Sequence, residues 1–175
     1  MSIADVTADA YPNAVFNDWS NPVRVRIDAA PVMLFAGALH DQNPIWRSEH
    51  AAAAAGFDSV PATPTFTFVM GYSGTFPDLQ PEGGTGHMDA PTSKPMSPDG
   101  TSATGLYLHG EQHFAYHRQP VVGDVLEGRM RISEPMAKGG SRGRMEITLL
   151  ETVWRDLDGE PVVTERIVSI FLPDA

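Results

Sequence analysis

The chain has 175 residues and a formal charge of −10, from 22 acidic against 12 basic side chains. That length suits one domain with its own core, and the surplus of acid repels phosphate backbones, so nucleic acid is not expected as a partner. With no cysteine, disulfides and thiolate chemistry are excluded, and no run of about 18 apolar residues is present to span a bilayer.

The first twenty residues carry Asp5, Asp9 and Asp18 but no base, unlike a signal peptide, so a cytoplasmic location is expected. Residues 1–22 hold Tyr11-Pro12, Trp19 and Asn21-Pro22 without a period and read as an irregular arm, with a single domain over 23–175. Val23-Arg24-Val25-Arg26-Ile27 alternates apolar and basic, the pattern of a strand with one buried face. Asp28 is placed to cap a helix over about 29–40, in which Pro31 falls in the first turn and Val32, Phe35, Ala38 and Leu39 form an apolar stripe. Asp41-Gln42-Asn43-Pro44 ends it, because the residue before a proline is pushed out of the α region. Ser48 to Ala55 predicts a short helix capped by Ser48 and stopped by Gly56.

Val60 to Pro64 reads as an extended connector. Thr65 to about Ser73 is apolar on nearly all sides, which suits a buried helix or a buried strand; Thr63 as cap and Pro64 at the first helical position favour the helix. From 74 to 105, Gly, Pro, Ser, Thr and Asp dominate, a composition that covers no core and marks a lid, a partner contact or an unstructured insertion. Leu106–Arg118, Asp124–Ser133, Arg144–Arg155 and Val162–Leu172 alternate well. Turn signals at Val122-Gly123-Asp124, Lys138-Gly139-Gly140 and Asp156-Leu157-Asp158-Gly159 separate them, predicting consecutive antiparallel strands. The layout is α+β, one sheet and one central helix.

Chemistry-bearing residues concentrate after the first helix. Taken alone, Asp41 and Asn43 close a helix and form a turn. His109, His113 and His117 recur every four residues and on a strand would share one face, but each such step spans about 13 Å, so no metal site is expected. His40 and His113 stand as reserve acids or bases.

Three separated pieces carry a resemblance. They are Phe35 through Ala55, containing His40-Asp41-Gln42-Asn43-Pro44-Ile45-Trp46; Val60-Pro61-Ala62-Thr63-Pro64-Thr65-Phe66; and Gly110 through Asp124, containing His113-Phe114-Ala115-Tyr116-His117-Arg118, with Gln119 inserted before Pro120. Together they resemble the MaoC-like hot-dog hydratases and dehydratases, and within them the FAS1-like, or MaoC N-terminal, dehydratase branch, over about residues 23–172. The resemblance implies an antiparallel sheet wrapped around a long central helix, paired with a second such unit, with the active site between them. It also implies an Asp and a His after the first helix, and a backbone N–H at the start of the central helix that polarises a thioester carbonyl.

Carried over, Asp41 takes the acidic catalytic position, Asn43 the amide beside it, and Trp46 stands where the histidine is expected. An Asp and a His divide the proton transfers of hydration between them, whereas an indole N–H exchanges no proton near neutral pH. Pro64 and Thr65 match the helix start; Pro64 has no N–H, so that of Thr65 or Phe66 would have to serve. Trp46, Pro64, Thr65 and Phe66 are thus the substrate-binding candidates, with Phe66, Phe68, Met70 and Tyr72 beside an apolar tunnel, and no cofactor is expected. The implied ligand is an acyl-CoA or acyl carrier protein thioester, an anion for which Arg142 and Arg144, or Arg118, would supply a local basic patch. The chain is expected to be the substrate-holding half of a hydratase or dehydratase, in a homodimer or with a MaoC-type chain bearing the intact Asp and His. The alternatives are a non-catalytic acyl-thioester-binding or assembly protein of the same fold, and a hot-dog thioesterase using Glu49 or Asp58.

Overall fold

Alternating apolar residues in the C-terminal half give long strands that bond edge to edge in the computed structural model, which describes residues 10–73, 105–140 and 143–173. Its strands are β1 (Val23–Arg26), β2 (Gly105–Tyr116), β3 (Val125–Ile132), β4 (Met136–Gly140), β5 (Gly143–Arg155) and β6 (Pro161–Pro173). They form one antiparallel sheet in the order β1-β3-β5-β6-β2, with β4 on β5. Helices α1 (Ala29–Ala38), α2 (Glu49–Ala54) and α3 (Phe66–Ser73) pack against its inner face.

The expected run of consecutive pairings is corrected here. Among the described strands, only β4–β5 and β5–β6 join chain neighbours; β2 pairs with β6, and β3 lies between β1 and β5. Period-two alternation says which face a strand buries and nothing about which strand lies beside it. Lys138-Gly139-Gly140, expected as a turn, belongs to β4, paired from Met136 opposite Ile147 to Gly140 opposite Gly143.

The inner core joins Val25, Val32, Ala52, Phe66, Met70, Leu126, Trp154 and Val163. Gly128 is part of this arrangement: a Cβ there would stand 2.5 Å from the Trp154 ring. On the outer face, Ile147, Leu149 and Val168 are covered by Tyr11, Ala14 and Phe16 from the N-terminal arm. The arm is docked along β3. Asn17 N–H donates to the Ile132 carbonyl (2.9 Å) and Ser20 N–H to that of Met130 (2.8 Å), while Asn17 Oδ1 and Ser20 Oγ accept from the same residues' N–H groups at 2.7 and 3.0 Å. Phe16 and Trp19 place their rings 4.4 and 4.5 Å from the Arg131 guanidinium. Arg131 and Arg166 both bind the buried Glu151 carboxylate.

The helix ends follow their capping chemistry, with two corrections. His40 takes a left-handed conformation (φ 56°) after α1; its N–H donates to the Gly37 carbonyl and that of Asp41 to the Ala36 carbonyl, the paired bonds that close a helix C-terminus. Ser48 Oγ accepts the Ala51 N–H at 3.3 Å, and Gly56 (φ 89°) stops α2. Asp28, expected as a cap, makes no capping bond with its side chain and faces Arg26 instead (3.3 Å). Helix α3 starts at Phe66 rather than Pro64, because Thr65 sits at φ 67°, outside the helical region. The central helix is described over the eight residues Phe66–Ser73. The expected loop at about 74–105 lies outside the described residues except for Gly105.

Gly128→Ala is expected to lower stability by about 1–3 kcal/mol, since the Trp154 ring must shift off its packing. Gly139→Ala, with nothing within 4 Å of the added carbon, is the control and should stay within about 0.5 kcal/mol. Urea denaturation of the two variants checks this.

Candidate active site

The left-handed turn at His40 delivers the chain into a loop closed on itself by Asp41. Asp41 Oδ1 accepts the Asn43 N–H (2.9 Å) and Oδ2 accepts the Trp46 indole N–H (2.7 Å), while Arg47 donates to the Asp41 carbonyl (2.7 Å). Asn43 Oδ1 in turn accepts the Ile45 N–H at 3.1 Å, capping the single turn Pro44–Trp46. The Asn43 N–H, then the Trp46 indole, with Arg47 near, hold the Asp41 carboxyl below the usual carboxylate range. Such a group is ionised at neutral pH and accepts hydrogen bonds, but its low proton affinity makes it a weak base.

The second piece is the opening of α3. Pro64 is exposed and has no N–H to offer. Thr65, half-buried in its left-handed conformation, donates its N–H to the Tyr116 hydroxyl oxygen at 2.9 Å, and Phe66 donates to the Thr63 carbonyl at 3.1 Å. Both amides that would serve a carbonyl are therefore already engaged. Phe66 packs on Phe35, with ring centres 6.0 Å apart, which ties α1 and its following loop to the first residue of α3. Phe66 and Met70 lie in the core, and Phe68 sets its ring edge-on to His109 at 6.1 Å. The Tyr72 side chain lies outside the described residues.

Glu165 anchors the same helix from below. It is 5% exposed, with Oε1 accepting the Trp154 indole N–H (3.1 Å) and Oε2 the Thr67 hydroxyl (3.4 Å). Burial pushes its carboxyl up to about 7, against the pull of those two donors. Neither Tyr116 nor Glu165 was a candidate from sequence. For Glu165 a signal existed: an acid flanked by Val162-Val163 and Ile167-Val168 in a strand needs a buried partner. Tyr116 and Thr65 are 51 residues apart, and no local pattern connects them.

The other candidates separate. A β-bulge between His109 and Glu111 shifts the register, so His109 meets Phe68 on the helix side while His113 pairs with Glu111 at 3.0 Å, in register with Arg166 on the outer face. The three histidines thus do not share one face, and among the described residues no group of three potential metal ligands gathers. Arg118 is bound to Asp124 (2.6 Å) and Arg144 to Glu146 (3.3 Å), so neither is an uncommitted cation; Arg142 lies outside the described residues. Glu49 and Asp58 are exposed, Glu49 in the first turn of α2. His40 is exposed beside the loop. Among the described residues, no helix is long and apolar enough to cross a membrane.

Residues 14–165 match the family described as "FAS1-like, dehydratase domain region". The chain belongs to the FAS1-like dehydratase family. A UPF0336 protein of Tropheryma whipplei (strain Twist) is 33% identical over 120 residues, 68% of this chain and 74% of that protein. A "Probable enoyl-CoA hydratase alpha subunit" of Thermomonospora curvata is 34% identical over 135 residues, 74% of this chain and 40% of that longer protein. The C-terminally truncated HadBC (3R-hydroxyacyl-ACP dehydratase) complex of Mycobacterium tuberculosis aligns with a TM-score of 0.64 at 20% identity, over 90% of this chain and 95% of that chain. That likeness carries the fold, which is the hot-dog fold of MaoC-like proteins. In this FAS1-like dehydratase domain, the sheet's inner face holds α3 by Glu165 as well as by apolar packing.

Because the Glu165 pKa is raised on folding, the folded state binds the extra proton between about pH 4.5 and about 7, and stability falls as pH rises through that window. Glu165→Gln keeps the shape and removes the titration. It is expected to flatten the melting temperature between pH 5 and 7 and to be more stable than the parent at pH 8 by about 3 kcal/mol, as read by calorimetry across pH.

Proposed function

We propose that this domain is the substrate-holding half of an enoyl-thioester hydratase or 3-hydroxyacyl-thioester dehydratase acting on acyl-CoA or acyl carrier protein substrates. The observation that carries this reading is the 2.7 Å bond from the Trp46 indole to Asp41. Adding water across a 2-enoyl thioester needs one group to take a proton from water and another to deliver one to the α-carbon. Trp46 exchanges no proton, and Asp41 is fixed by two donors in the form that accepts. The loop therefore suits a rigid wall for a thioester, while the proton transfers fall to a second hot-dog chain with an intact Asp and His.

The edge of the sheet supports a partner. Among the described residues, strand β2 is twelve residues long, bonds β6 on one side, and leaves Leu106 and Leu108 56% and 41% exposed. A long apolar edge is a liability for a lone chain and is relieved by a second unit placed along it. The names of its relatives agree in kind: one is an alpha subunit of an enoyl-CoA hydratase and the other a dehydratase complex.

Crotonyl-CoA hydration tests the proposal, with the purified chain assayed alone and with the MaoC-type chain that copurifies. The complex is expected to exceed the isolated chain at least ~100-fold, the scale of a missing general acid–base pair. A chain that alone matches the complex and loses its rate on Asp41→Asn would overturn the holding role while leaving the family intact. Binding of a long acyl-CoA with no turnover in any combination would indicate a binding or assembly protein, and release of free CoA thiol a thioesterase.

A further inference from the structure

We propose that the Tyr116 hydroxyl hydrogen is the donor this chain presents to a thioester carbonyl, in place of a backbone N–H at the start of α3; the inference rests on the thioester-holding reading above. The three positions matched to the start of that helix, Pro64, Thr65 and Phe66, have no backbone N–H left to give. Pro64 has no N–H, Phe66 donates to the Thr63 carbonyl, and Thr65 donates to Tyr116. A phenol oxygen that accepts a hydrogen bond still carries its own O–H, and accepting one makes that O–H a stronger donor. The positive end of the helix is thereby passed one group outward, from the Thr65 amide to the Tyr116 hydroxyl.

The surroundings fit that role. Tyr116 is 43% exposed, so a ligand can reach it, and its ring is steadied by Phe114, stacked with centres 6.1 Å apart. Burial of the ring, with the nearby Glu165, keeps the phenol above its ordinary pKa despite the Thr65 N–H, so the proton to be donated stays in place at neutral pH. A second, independent feature lies in the same turn: Thr63 is 2% exposed and its Oγ1 has no hydrogen-bond partner among the described residues. Buried hydroxyls are nearly always satisfied, so Thr63 Oγ1 is a hydrogen-bonding group left open in the turn that carries Thr65. With the Tyr116 oxygen already accepting from Thr65, its O–H is the part turned to a ligand and calls for an acceptor atom. A thioester carbonyl is such an atom; an ammonium, which only donates, is not.

The test is isotope-edited infrared spectroscopy of butyryl-CoA carrying a ¹³C carbonyl, bound to the purified protein in the complex in which it copurifies. Butyryl-CoA is saturated and is not hydrated. Binding is expected to move the carbonyl band to lower wavenumber, and Tyr116→Phe to abolish the move while weakening affinity about tenfold, the loss of one hydrogen bond. Since Tyr116→Phe leaves the Thr65 N–H without its acceptor, 3-fluorotyrosine placed at position 116 provides a gentler second probe: a more acidic phenol should shift the band further. An unchanged band in both variants overturns the assignment to Tyr116 alone. Failure of butyryl-CoA to bind the unaltered complex overturns it together with the holding function.

Discussion

Strand β6 is buried on both faces, and that constraint organises the molecule. Its neighbours Glu165 and Arg166 point to opposite sides: Glu165 reaches Thr67 on the first turn of α3, and Arg166 joins Glu151 and Arg131 beneath Phe16 and Trp19. The helix layer and the N-terminal arm are thus located by one register. A one-residue slip would carry the carboxyl toward Glu151 and the guanidinium into an apolar core, so competing registers are strongly disfavoured. Two polar groups next to each other in a core strand give this sheet its uniqueness, while apolar area gives it most of its stability.

The two pieces of the candidate site differ from a proton-transferring pair in the same direction. After α1, the Trp46 indole and the Asn43 N–H draw Asp41 into a closed ring of bonds. At α3, a proline removes one amide, and bonds to the Tyr116 hydroxyl and the Thr63 carbonyl occupy the next two. Each arrangement fixes a shape. In the proposed holding role, such a wall keeps its geometry while a partner gains and loses protons.

Much of the backbone was legible in the residues. Ser48 and Gly56 bounded α2 and four long strands stood out, because caps and alternation act over a few residues, whereas α1 ends earlier than Asn43-Pro44, at the left-handed His40. What escaped depends on partners far along the chain. Strand order was hidden because alternation carries no address, and β4 because a Gly-Gly pair reads as a turn until an opposite strand claims it. The start of α3 moved because Thr65 is held left-handed while bonded to Tyr116, and a β-branched residue gives no warning of that conformation. Arg118 and Arg144 looked like an anion patch until folding set Asp124 and Glu146 against them.

The extra residue at Gly110 has an effect on scale as well as on shape. In an unbroken β2, Tyr107 and His109 would look outward with His113, and Phe68 would lose its neighbour. By changing phase once, the strand turns Tyr107, His109, Gln112, Phe114 and Tyr116 all toward the helix side. One strand thereby turns to a single face side chains that plain alternation would have divided between two, without any added element.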